Sequence, residues 1–389
     1  MKKKSSRTCL ALLLAAAGVL AAAGLTGCGR TGRYRVPEQL DDGWPTANAA
    51  DAGLNSRLLS RMVARIERGR YQDIHGILVV RQGKLVFEAY FPGYRFDYSD
   101  EKLRGEYVEY AADIPHNTMS VTKAVTAALT GIAIGKGCIP GVEEPILTYF
   151  SRYGSLIDEA RARITVKHLL TMTSGLAWNE WDLGYTDTSN DLIQLFIVDD
   201  PIAYILSRES AHEPGLFWYY SGGDVNLLGK LLEEATGMRL DAFADTHLFG
   251  PLGVTDAAWQ RINPAVVYAS GELALRPRDM AKFGWLYLNG GIWDGKSILA
   301  SGWIEDSLRE QVSTRGSTEE GHAYGYQWFL KNYRSGRRSF EAVVRTGWGG
   351  QAIVLFPDLE MLVVLTGGNY LDEVPTDELL QDYILPAVE

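Results

Sequence analysis

Two strand hairpins at opposite ends of the chain constrain its fold most. The apolar runs 77–81 and 84–90 flank Gln82-Gly83, and the runs 352–356 and 361–365 flank Pro357-Asp358. Short β-branched and aromatic runs broken by turn residues are the signature of a hairpin. Residues 325–330 and 340–344 read as two more strands. From about 138 to 264 the pattern is instead mostly helical. Strands at both ends with helices between predict an α+β fold. It would hold one antiparallel sheet built from both chain ends, flanked by helices, with a mostly helical inserted subdomain.

The helices follow from apolar spacing. Leu58, Leu59, Met62, Val63 and Ile66 recur at helical period up to Gly69. A helix from Ser120 runs through Leu129, Ile132 and Ile134 and stops near Gly135-Lys136-Gly137. Shorter helices are expected over 165–172, 191–196 and 202–207, and an amphipathic one over 224–234. Pro277 opens another at a favoured first position, ahead of Met280, Phe283 and Leu286. Residues 376–383 read as a closing helix.

The first residues have the form of an export signal. Lys2, Lys3, Lys4 and Arg7 precede an apolar run from Leu10 to Gly24, too short to span a bilayer comfortably. Leu25-Thr26-Gly27-Cys28 closes it and resembles the bacterial lipobox, whose cysteine is lipidated and becomes residue one. An ordinary signal peptide is the alternative. The expected organisation is a lipoprotein signal peptide over 1–27, a tether over 28–50 and a catalytic domain over 51–389. The expected location is the bacterial cell envelope, with the membrane reached through lipid on Cys28. In a Gram-negative cell that means the outer membrane or the periplasmic face.

Charge and cysteine usage agree with export. Cys9 lies in the leader and Cys28 would carry lipid, so Cys138 has no disulfide partner. Without the four leader cations the chain carries 34 basic and 48 acidic residues, a net charge of −14. So acidic a protein is a poor candidate for nucleic acid or for direct binding to anionic lipid. The six histidines show no ligand spacing, so neither a metal nor another cofactor is expected.

One tetrad carries candidate chemistry. Ser120-Val121-Thr122-Lys123 places a hydroxyl and an amine three residues apart at a helix start. Residues at i and i+3 share a helix face, so the amine can reach the oxygen. A serine hydroxyl is a poor nucleophile until a base takes its proton, and a lysine can be that base. Alone the tetrad is weak, because roughly one such match is expected by chance in a chain this long; the alternative role for Ser120 is a helix N-cap. Two further stretches follow in order: Phe217-Trp218-Tyr219-Tyr220-Ser221-Gly222, and Arg345-Thr346-Gly347-Trp348-Gly349-Gly350-Gln351.

With these three motifs in that order, the chain resembles the serine β-lactamase and penicillin-binding enzyme superfamily. Within it, the chain is similar to the class C β-lactamase-like branch, which also holds esterases, D-amino peptidases and amide hydrolases. The resemblance covers roughly residues 54–385 and includes the phrases at 166–176 and 278–284. It implies a β-lactamase/D,D-peptidase-like fold and acyl transfer from a small ester or amide substrate. Ser120 would be the nucleophile, Lys123 its partner, and Tyr220 the group that passes the proton. The backbone N–H groups of Ser120 and Trp348 would form the oxyanion hole. Arg345, Thr346 and Gly347 would bind substrate, with Arg345 able to anchor a carboxylate. Trp178 and Trp181 would line an apolar cleft or else form an aromatic satellite cluster. That role requires either a tyrosinate or a proton relay at Tyr220, and a tyrosinate would need neighbouring cations, with Lys123 and Arg345 the candidates.

Two departures set the expected activity. Gly222 replaces the family's usual Asn, and Arg345 stands where β-lactamases have Lys. Both favour an esterase-like hydrolase. The alternatives are a D,D-peptidase or β-lactamase acting on cell-wall peptides or penicillins, and a non-catalytic protein that binds a cell-wall fragment.

Overall fold

The structure, a computed structural model, describes residues 32–318 and 320–389. The leader and Cys28 lie outside the described residues. The N-terminal hairpin forms as expected. Helix α1 (Ser56–Glu67) is capped by Asn55, whose Oδ1 accepts from Arg57 N at 3.1 Å. Strands β1 (Ile74–Arg81) and β2 (Lys84–Tyr90) follow it. Helix α2 (Thr122–Gly135) is buried along almost its whole length. Helix α3 (Gly222–Thr236) packs against it. Helix α4 (Pro277–Leu288) begins on its proline. The C-terminal part supplies β3 (Val312–Ser313), β4 (Ala323–Tyr324), β5 (Phe329–Ser335), β6 (Arg338–Gly347), β7 (Gln351–Phe356) and β8 (Met361–Gly367).

Among the described residues the main sheet has eight antiparallel strands in the order β3-β4-β5-β6-β7-β8-β1-β2. The join between β8 and β1, with Val79 opposite Val363, is where the chain's two ends meet. Strand periodicity divides the sheet's side chains between two cores. Leu78, Val80, Ile353, Leu355, Leu362 and Val364 face α4 and the helical region. Ile77, Val79, Val354, Val363 and Leu365 face α1 and the closing helix. Each such side chain, fully buried, stabilises the fold by roughly 1.5–3 kcal/mol. The sheet is therefore covered on both faces. That explains why its central strands read as continuous apolar runs rather than alternating ones.

Two expectations need correction. Residues 325–330 are not one strand. Gly325 through Trp328 form the turn between β4 and β5, and Gln327 adopts a left-handed φ of 64°. The aromatic residues there fill a core instead: the Trp328 ring is stacked on Phe283 at 6.3 Å. The segment expected as a tether is also packed, from residue 32 onward. Trp44 is only 1% exposed, and its Nε1 donates to the Arg278 carbonyl at 3.0 Å. Arg278 also pairs with Asp42 at 2.9 Å and with Glu88. Ala47 N donates to Leu85 O at 3.1 Å, extending the edge beside β2. A buried tryptophan and a buried arginine with two carboxylate partners hold this stretch, and composition alone did not show either.

Candidate active site

Ser120 sits on a turn held from several sides. Met119, before it, adopts φ of 48°, a left-handed conformation that costs a non-glycine residue roughly 1–2 kcal/mol. Local hydrogen bonds offset that cost. Asn117 Oδ1 accepts from Met119 N at 2.9 Å. Thr122 Oγ1 donates to Met119 O at 2.6 Å and accepts from Leu273 N at 3.1 Å. Thr118 binds Leu273 O through both its N–H and its hydroxyl, each at 2.8 Å. One turn of 3-10 helix over Met119–Val121 then leads into α2. Gly347, at the end of β6, lies against this turn. A Cβ there would come within 2.5 Å of Thr118 O, so only glycine lets the strand approach so closely.

The spacing of the tetrad does what helix geometry requires. Lys123 Nζ lies 3.0 Å from Ser120 Oγ and donates to Ser270 O at 2.7 Å. The lysine is fully buried. Burial pulls its pKa down to about 7, with Glu180 opposing and Arg345 assisting the shift. A neutral amine is therefore accessible near neutral pH, and at this distance it can accept the hydroxyl proton.

Glu180 is the site residue that the sequence reading missed. Its Oε1 is 4.0 Å from Lys123 Nζ, and both side chains are fully buried. Its Oε2 accepts from Gly222 N at 2.6 Å and from Trp178 Nε1 at 2.8 Å. A Cβ on residue 222 would fall 2.7 Å from both Glu180 Oε2 and Leu192 Cδ1. The missing side chain at Gly222 is thus the space that the carboxylate fills. The only signal in the sequence was that glycine, since Glu180 lies 42 residues earlier in an irregular loop. Trp178 is corrected by the same geometry. It is buried at 5% exposure and holds Glu180, and it does not line the cleft.

Arg345 is also placed differently from expectation. It is fully buried beneath the cleft, and four of its five N–H groups are engaged by protein oxygens. Nε donates to Ser120 O at 2.8 Å. Nη1 donates to Tyr324 Oη at 2.7 Å and to Gln327 O at 3.2 Å, and Nη2 to Tyr220 Oη at 3.2 Å. A guanidinium so engaged is not free to anchor a substrate carboxylate. It positions Tyr220 and the nucleophile's own carbonyl. Of the two routes open to Tyr220, a tyrosinate or a proton relay, burial favours the relay. Burial raises the Tyr220 hydroxyl to about 12, outweighing the Arg345 charge and the contact with Ser120. Tyr220 is a phenol near neutral pH, which leaves Lys123 as the group able to take a proton.

The other expected residues surround one cleft of about 350 Å³, lined by Ser120, Tyr220, Trp181, Thr346, Gly347 and Trp348 among others. The Trp181 ring meets Tyr220 edge-on at 4.4 Å. Thr346 Oγ1 donates to Glu320 Oε2 at 3.1 Å. Trp348 is fixed through its Nε1, which donates to Tyr370 O at 2.9 Å. Buried Gln351 donates to the carbonyls of Trp348 at 3.1 Å and Gly367 at 2.7 Å. The loop that carries Trp348 is thereby pinned to β8.

A family model described as Beta-lactamase matches residues 63–382. The 6-aminohexanoate-dimer hydrolase of Paenarthrobacter ureafaciens is 25% identical over 276 residues, 66% of each chain. The lovastatin esterase of Penicillium rubens is 30% identical over 154 residues, 38% of this chain and 37% of the esterase. Esterase EstB of Burkholderia gladioli is 28% identical over 165 residues, 39% of this chain and 41% of EstB. The chain thus aligns with 66% or less of the length of these relatives. In three dimensions, a putative 6-aminohexanoate-dimer hydrolase from Bacillus anthracis superposes with a TM-score of 0.67 at 21% identity, covering 91% of this chain and 89% of that one. A class C beta lactamase from Rhodobacter sphaeroides superposes with a TM-score of 0.61 at 15% identity, covering 86% and 100%. These two likenesses show the fold.

Proposed function

The chain belongs to the beta-lactamase family of hydrolases, and on that premise we propose a serine hydrolase that acts on a small ester or amide through an acyl-enzyme. The observation that carries the reading is the buried Lys123 amine 3.0 Å from Ser120 Oγ. In the proposed reaction neutral Lys123 takes the Ser120 proton as Oγ attacks the substrate carbonyl. The N–H groups of Ser120 and Trp348 hold the oxyanion, and such donors each stabilise a transition state by roughly 3 kcal/mol. Tyr220 gives its phenol proton to the departing alcohol or amine and regains one from Lys123. Water then attacks the acyl-enzyme by the reverse relay, releasing the acid and free Ser120.

Two features favour the esterase-like reading over a β-lactamase. Residue 222 offers no amide to the cleft, and Arg345 is fully buried with four of its five N–H groups bonded to protein oxygens. Relatives named as a lovastatin esterase, as EstB and as a 6-aminohexanoate-dimer hydrolase agree with ester or amide substrates. The test is a panel of p-nitrophenyl esters, amino acid amides and nitrocefin, with Ser120→Ala as control. Ester or amide turnover well above nitrocefin turnover, lost in the variant, is expected. Preferential nitrocefin hydrolysis would move the assignment to a β-lactamase. Absent turnover with tight binding of a cell-wall peptide would move it to a binding protein.

The proposal extends to location. The basic start, the apolar run to Gly24 and the lipobox-like Leu25-Thr26-Gly27-Cys28 support an exported, lipid-anchored hydrolase of the bacterial envelope. Cys28→Ala is expected to abolish incorporation of labelled palmitate. Equal incorporation in the variant would remove the anchor from the account.

A further inference from the structure

Helix α1 carries a row of arginines on the face it turns away from the sheet. Arg57, Arg61, Arg65 and Arg68 are all exposed. At the helical advance of ~100° per residue they fall within one arc of about 80°. Leu59, Met62, Val63 and Ile66, which enter the core, lie on the opposite side. Among the described residues none of the four guanidinium groups has a carboxylate partner, whereas Arg70, beyond the helix end, pairs with Glu378 at 3.4 Å. Like charges at i and i+4 repel, and Arg57 in the first turn opposes the helix dipole. The row therefore does not stabilise the helix, and a negatively charged partner outside the chain would offset its repulsion.

The start of the described chain runs along the same helix. Gly32 lies against Ala64 and Glu67, and a Cβ there would meet Ala64 Cβ at 3.0 Å. Tyr34 N donates to Ser60 Oγ at 2.8 Å. Ala64 borders the arginine arc, and Arg33, between these two contacts, is a further exposed cation. Only residues 29–31 separate Cys28 from Gly32 in the sequence. An extended chain advances at most ~3.6 Å per residue, so lipid on Cys28 keeps the bilayer within roughly 15 Å of Gly32.

We propose that the arginine face of α1 docks on the phosphate headgroups of an anionic bilayer, the one that holds the acyl chains of Cys28. This contact fixes how the catalytic domain stands on the membrane. The inference rests on the lipid-anchored reading above. It narrows the argument from net charge: the whole protein is acidic, but the four arginines give this face the opposite sign. Guanidinium groups suit the partner, because their planar donors pair with phosphate oxygens two at a time. The short connection can bring the face within the ~10 Å over which an anionic surface attracts basic residues at moderate salt.

The soluble arm of the test uses the mature chain from residue 28 with Cys28→Ser, which keeps the compact unit 32–389 whole. In sedimentation with vesicles at low salt, binding to phosphatidylglycerol should be at least tenfold tighter than to phosphatidylcholine. Molar salt should remove the preference. Arg57→Gln, Arg61→Gln, Arg65→Gln and Arg68→Gln together should abolish it without lowering the denaturant midpoint, since all four residues are exposed. The membrane arm uses the lipidated protein in vesicles, with phenylglyoxal labelling read by mass spectrometry. The four arginines should label at least fivefold less in phosphatidylglycerol than in phosphatidylcholine. Arg309, 63% exposed after a helix packed on the sheet's opposite face, should label equally in both. Equal binding to the two lipids, equal labelling of the four arginines in both, or a preference unchanged in the quadruple variant overturns the inference and leaves the anchor in place. So does tighter binding to soluble polyphosphate than to the vesicles, which would make the face a polyanion site. A Cys28 that takes up no palmitate would remove the anchor, and the soluble arm would still decide the face.

Discussion

Lys123→Met is expected to lower kcat/KM for the best ester by about 10³-fold, the size of effect typical of a lost general base. Methionine fills most of the lysine's volume but offers Ser120 no proton acceptor. The variant also leaves the Ser270 carbonyl and the Glu180 carboxylate short of a partner, at a stability cost of roughly 1–3 kcal/mol. The pH profile separates the two consequences. Burial holds the Lys123 pKa down near 7, so wild-type kcat/KM should rise with pH as the ammonium loses its proton through that value. In Lys123→Met this limb should vanish. If it persists in the variant, another group titrates and Lys123 is not the base.

Glu180→Ala is the second large effect, and it acts through stability. The substitution strips the partner from buried Lys123 and the acceptor from Gly222 N and Trp178 Nε1. Removing one side of a buried ion pair costs roughly 3–5 kcal/mol, which denaturant unfolding would read directly. Glu180→Gln gives the finer test, because the amide oxygen still accepts a hydrogen bond but carries no charge. The carboxylate raises the Lys123 pKa against burial. Without that charge the rising limb of kcat/KM should move to lower pH. A limb that stays put would show that Glu180 holds the loop without tuning the lysine.

What could be read from the chain divides along a physical line. Ser120 and Lys123 were legible because their contact is set by helix period alone. The sheet built from both ends was legible because its central strands are continuous apolar runs. Glu180 was hidden because no local rule links an irregular loop to Gly222. Only the folded packing shows that the glycine makes room for a carboxylate. Arg345 was misjudged for a related reason. A strand places a side chain on one of two faces, and the motif did not reveal that this face lies under Tyr220 and Tyr324 rather than in the cleft. The turn at 325–328 deceived because core aromatics and strand aromatics have the same composition. The stretch from 32 to 50 deceived because a single tryptophan, buried over Arg278, outweighs its Pro and Gly content.

The central claim is that Ser120 becomes covalently acylated, and intact mass after exposure to a fluorophosphonate tests it most directly. The account predicts one adduct per chain on the wild-type protein and none on Ser120→Ala. An unmodified wild-type chain, or an equal adduct on the variant, would contradict it.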